Sequence, residues 1–110
     1  MIFLDKKGHF VTLELVDYLT ELEQKTQCER ANCEVVNLIG LECPEPLMML
    51  RQSIRQALSQ QQFMVLATDK STLRDFENFC GYMGHELRFK LELKKRHGTA
   101  AVLGFLIKKR

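Results

Sequence analysis

Cys43 stands directly before the only two prolines of the 110-residue chain, in the run Gly40-Leu41-Glu42-Cys43-Pro44-Glu45-Pro46-Leu47. A thiolate is a strong nucleophile near neutral pH, and it is the species that exchanges sulfur with disulfides and persulfides. Three further cysteines occur, Cys28, Cys33 and Cys80. Their spacings match no common zinc pattern and no CxxC is present, so neither a metal nor a cofactor is expected. The opening residues Met1 to Lys7 lack the form of a secretory signal, because the apolar run is short and the charges follow it. That points to the cytoplasm and to four free thiols. Cys28 and Cys33 lie in a polar stretch and are expected to be incidental.

The elements that must hold Cys43 follow from the prolines. Proline suits the first turn of a helix, where its missing N–H would have no intrahelical partner. After Pro46, Leu47, Leu50, Ile54 and Leu58 recur at helical spacing, with Arg51, Gln52, Arg55 and Gln56 on the other face. A residue before proline is pushed to extended geometry, so Cys43 is either the N-cap or just outside it. The free backbone donors on offer near its sulfur are the N–H groups of Glu45 and Leu47. A helix terminus favours an anion by roughly 0.3–1 kcal/mol when exposed and ~2 when partly buried. That is about one pKa unit for a thiol. A larger effect needs a nearby cation, and Arg51, Arg74 and His85 are the candidates.

Around this junction the chain reads as βαβαββ. Residues 34–39 form a strand ended by Gly40, and the helix after Cys43 runs to about residue 60. The apolar run at 63–68 is a strand covered on both faces. Asp69, Lys70 and Ser71 supply turn and cap chemistry for a helix with Leu73, Phe76, Phe79, Cys80 and Met83 on one face and Gly84 as its stop. In residues 86–95, Leu87, Phe89, Leu91 and Leu93 alternate with charged residues. A turn at 96–99 leads to a last strand at 100–107. Right-handed crossovers place both helices on one sheet face. The charged third strand goes to an edge and the apolar fourth inside. The predicted fold is an α+β two-layer sandwich on a four-stranded mixed sheet of order 1-2-4-3.

Residues 1–33 read as an N-terminal extension to a domain at 34–110. Ile2 to Leu4 and Phe10 to Leu13 flank a turn at 5–8, and Leu15, Val16, Leu19 and Leu22 follow a helical period to about Thr26. A single longer helix is the rival. Strands two and four offer apolar side chains to both sheet faces, so the bare face needs a cover. The extension or a second copy of the chain is expected to supply it. The formal charge of +2 is too small to argue for nucleic acid, and no run approaches the ~20 apolar residues of a membrane span.

The run from Leu38 to Arg51, with Cys43-Pro44-Glu45-Pro46 as a CPxP element, resembles the TusA-like (SirA-like) sulfur-carrier family. A second block matches as well: Ala67 to Asp69, Thr72 to Asp75, Phe79, Cys80, Met83 and His85 to Leu87. The resemblance covers about residues 34–110. It implies a βαβαββ sandwich like the C-terminal domain of translation initiation factor three. It also implies a sulfurtransferase that carries sulfur as a persulfide on Cys43, with Pro44 and Pro46 starting the helix. The donor is a cysteine desulfurase, the receiver an acceptor protein, and 2-thiouridine in tRNA one of several end points. Direct binding of nucleic acid or membrane is not implied, and a monomer or weak dimer is expected. Residues 1–33 have no counterpart in the family core.

Other residues carry plainer readings. Cys80 falls on an apolar helix face and packs, with a resolving role against Cys43 as the alternative. Asp69 and Asp75 cap a helix, and His85 is structural or superficial. Met48 and Met49 are assigned to core filling before contact with a partner. Arg51 and Arg55 form a stripe suited to docking an acidic partner. Two other functions compete: an RNA- or DNA-binding module, and a non-catalytic regulatory or interaction module in which Cys43 only packs.

Overall fold

The computed structural model describes residues 2–4, 10–93 and 101–110. The elements are β1 (Ile2–Leu4), β2 (Phe10–Thr12), α1 (Leu13–Thr26), β3 (Cys33–Leu38), α2 (Glu45–Arg55), β4 (Gln62–Ala67), α3 (Thr72–Met83), β5 (Glu86–Leu93) and β6 (Val102–Lys108). A single 3-10 turn, Arg30–Asn32, joins α1 to β3. Strands β3 to β6 form one sheet in the order β3-β4-β6-β5. β3 and β4 are parallel; β6 is antiparallel to both β4 and β5. Counted from β3, this is the mixed 1-2-4-3 sheet that the hydrophobic pattern predicts.

The central strands are buried because both their faces are covered. On one face α2 and α3 pack Leu50, Ile54, Phe76 and Cys80 against Val36, Leu38, Phe63, Val65, Phe105 and Ile107. Phe76 and Phe105 meet edge to face, with ring centroids 4.8 Å apart. On the other face α1 sets Leu15, Tyr18, Leu19 and Leu22 against Met64, Leu66, Leu93 and Leu106. Each fully buried side chain of this size contributes about 1.5–3 kcal/mol. The extension therefore covers the second face, as the two-sided strands require, and adds a third layer. Gly104 of β6 makes the close approach possible. A Cβ there would lie 3.1 Å from Leu22 and 3.2 Å from Leu93.

Three local expectations are corrected. β1 and β2 pair antiparallel, but Leu13 opens α1 instead of ending a strand. The turn joining them lies outside the described residues, as does the turn at 96–99. Helix α2 ends at Arg55, so Leu58 is 81% exposed and not on its buried face. The chain there must turn to enter β4. Gln60 takes a left-handed φ of 72°, and its N–H donates to Lys109 O at 3.0 Å. Pairing with the end of β6 outweighs continued helix. In β5 a bulge at Arg88 breaks the alternation. Leu87 joins the core under α2 and α3, while Leu91 and Leu93 face α1.

Candidate functional site

Cys43 lies in the loop between β3 and α2. The parallel register ends with Leu38 opposite Ala67, so the loops leaving β3 and β4 run side by side. Gly40 takes φ 87°, a conformation that suits glycine, and turns the chain across the sheet edge. Two bonds fasten this loop to its neighbour. Gly40 N–H donates to Thr68 Oγ1 at 2.9 Å, and Cys43 N–H donates to Asp69 Oδ2 at 2.7 Å. The other oxygen of Asp69 accepts from both the N–H and the hydroxyl of Ser71, each at 2.9 Å. These bonds, from Ser71 first and Cys43 next, hold the Asp69 carboxyl below its ordinary pKa. Asp69 thus holds the turn before α3, whose N-cap Ser71 makes no side-chain cap bond, and also ties down the backbone of the cysteine. The sequence reading missed that second role. The signal available was positional: Thr68 and Asp69 follow β4 as Cys43 follows β3.

Of the two positions left open for Cys43, the chain takes the one outside the helix. Pro44 is the N-cap, with φ −96° and ψ 8°, Glu45 begins α2, and Pro46 is buried in its first turn. The Cys43–Pro44 peptide is cis. One of the two expected donors is spent, since Glu45 N–H donates to Glu42 O at 2.9 Å. The N–H of Leu47 has no hydrogen-bond partner among the described residues.

The sulfur itself is exposed, and its thiol donates to Asp75 Oδ2 at 3.8 Å. Arg74 Nε stands 3.9 Å from the other oxygen of Asp75. The charge nearest the sulfur is therefore a carboxylate, with a cation behind it. Of the three cations considered from sequence, Arg74 alone reaches the site, through Asp75. Arg51 and Arg55 are exposed along α2 without an ion-pair partner among the described residues. His85 sits beyond Gly84 at the far end of α3. Its ring lies 5.5 Å from that of Phe79, and its Nδ1 accepts from Arg110 N–H at 3.1 Å. Burial first, then the charges of Arg110 and Lys109, lower its pKa.

Met48 and Met49 are 61% and 47% exposed, so they do not fill the core and instead lie open near the start of α2. Cys80 is buried in the core between α3 and the sheet, and burial pushes its thiol up to about 11. It packs, as its helical face predicted. Cys28 and Cys33, expected to be incidental, come together with their sulfurs 3.5 Å apart. No group of three or more potential metal ligands occurs among the described residues. No described helix is long and apolar enough to cross a membrane. The arrangement around Cys43 presents an exposed nucleophilic atom. Beside it stands a carboxylate that accepts the thiol's hydrogen bond.

A mixed sheet with two helices on one face is a fold seen in solved structures. The crystal structure of a SirA-like protein from Desulfitobacterium hafniense matches this chain with a TM-score of 0.52. The match covers 67% of this chain and 93% of that one at 17% sequence identity, a likeness of fold. The family model described as Sulfurtransferase TusA matches residues 34–100. A protein named Sulfur carrier protein TusA from Pseudomonas putida (strain GB-1) is 49% identical over 53 residues, covering 48% of this chain and 66% of that protein. The protein of the same name from Pseudomonas putida (strain W619) is 42% identical over 65 residues, covering 59% of this chain and 78% of that one. The chain thus spans just under two thirds of the first of these relatives. The chain belongs to the TusA family.

Proposed function

We propose that this protein carries sulfur as a persulfide on Cys43, taking it from a cysteine desulfurase or similar donor and passing it to an acceptor protein. The observation that carries the reading is the exposed Cys43 sulfur ahead of α2, on a CPxP element within the residues 34–100 that the family model matches. In the first step the Cys43 thiolate attacks the outer sulfur of the donor's persulfide. A sulfur–sulfur bond forms on Cys43, the donor's sulfur–sulfur bond breaks, and the donor leaves as a thiolate. In the second, an acceptor thiolate attacks that same outer sulfur and Cys43 leaves in turn. No net oxidation occurs, and no metal or cofactor takes part.

The local groups suit these steps. Asp75 accepts the hydrogen bond of the resting Cys43 thiol, and loss of that proton to solvent frees the thiolate that attacks. The open Leu47 amide at the N-terminus of α2 favours negative charge in its neighbourhood. Asp69 fixes the loop, so the sulfur need not be reordered at each encounter. Exposed Met48 and Met49 offer adaptable apolar contact, and Arg51 and Arg55 offer charge to an acidic partner. Thiolation of tRNA is one end point that such a relay serves. Incubation with a cysteine desulfurase and cysteine should add the mass of one sulfur atom to the wild-type chain and none to Cys43→Ala. Equal loading of the two proteins would refute the reading.

A further inference from the structure

The half-buried pair Cys28 and Cys33 lies at the opposite end of β3 from Cys43. The sulfurs are 3.5 Å apart, against about 2.05 Å in a disulfide. The local backbone brings them there. α1 stops at Thr26, Gln27 takes a left-handed φ of 56°, and the 3-10 turn Arg30–Asn32 returns the chain to the first residue of β3. Cys33 pairs in register with Gln62 of β4. The side-chain oxygen of Gln62 lies 4.0 Å from Cys28 Sγ and accepts from Arg88 Nη1 at 2.9 Å. A cation and an amide are thus built in beside two thiols. β3 alone is about 17 Å long at ~3.3 Å per residue, so Cys43 cannot reach this pair within one molecule.

We propose that Cys28 and Cys33 form a dithiol site that small disulfides of the glutathione class oxidise reversibly to an intramolecular disulfide. The Cys28 thiolate attacks one sulfur of the small disulfide. A mixed disulfide forms, and one small thiolate leaves and takes up a proton. Cys33 then gives up its proton and attacks the Cys28 sulfur, which releases the second small thiol. The two cysteines lose two hydrogens between them, and the small disulfide becomes two thiols. The order follows from their surroundings. Burial, with the hydrogen bond and charge of Cys28 added, pushes the Cys33 thiol up to about 12, so Cys33 keeps its proton and acts second. The bond would tie the end of α1 to the first residue of β3. The inference does not use Cys43 and stands apart from the sulfur-carrier reading.

The test equilibrates the full chain in a series of reduced and oxidised glutathione mixtures, quenches with acid and an alkylating agent, and maps the peptides. The expected product links Cys28 to Cys33, lighter by two hydrogens, and reverts with excess dithiol. The Cys33→Ala variant should stop with one glutathione on Cys28. If both cysteines of the wild type stay alkylated across the series, or each carries its own glutathione, the site does not exist. A Cys33→Ala protein without glutathione on Cys28 would overturn the assignment of Cys28 as the attacking sulfur.

Discussion

The two ends of β3 hold sulfur in opposite ways. Beyond its last residue, Cys43 is exposed and apart from any other thiol, on a loop tied down by Asp69. At its first residue, Cys33 is half-buried and in contact with a second thiol. The first setting suits exchange with other proteins, since the sulfur is exposed and no second thiol lies in contact with it. The second suits exchange within the chain, because a partner sulfur waits at contact distance. Accessibility and the presence of a neighbour, not the thiol itself, separate a relay from a switch.

The comparison can be broken from either end. Leu22→Ala should have the largest effect on stability. Leu22 is fully buried between α1 and the sheet, and its loss should cost about 2–5 kcal/mol in urea denaturation. It should also speed native-state alkylation of Cys28, which follows α1, and leave the alkylation rate of Cys43 unchanged. A change at Cys43 of equal size would show that the two ends are not independent.

Asp69→Ala should act in the opposite sense, freeing the Cys43 loop and leaving the dithiol pair as it is. Its effect should depend on pH. The folded pKa of Asp69 lies below the unfolded value of about 3.9. Its contribution is therefore complete above about pH 4 and is lost as pH falls through the lower, folded pKa. Thermal unfolding of wild type and variant should converge at low pH, and parallel curves would contradict the assignment. The smallest effect belongs to His85, at the far end of α3. Its folded pKa lies below the free value of about 6.5. The stability it adds is complete above about pH 6.5 and fades as pH falls through the folded pKa. Its NMR titration midpoint should lie below that of free imidazole, and Cys43 reactivity should not follow it.

Much of this arrangement was legible in the sequence. The apolar runs of β4 and β6 called for cover on both faces, and α1 provides it. The CPxP element placed a cysteine at a helix start. The misreadings share a cause, since each depended on a tertiary contact with no local signature. The length of α2 is set by the pairing of Gln60 and Gln61 with Lys109. The bulge at Arg88 redirects β5. Asp69 meets Cys43 across 26 residues because two parallel strands end level. Cys28 and Cys33 looked incidental because the four residues between them give no hint of the turn that folds them together.

The most direct test is to locate the sulfur. The wild-type chain is loaded by a cysteine desulfurase with cysteine, and the four cysteine peptides are mapped for an added sulfur atom. The account predicts one extra sulfur on Cys43 and none on Cys28, Cys33 or Cys80. Extra sulfur on either member of the pair, with Cys43 unloaded, would contradict it.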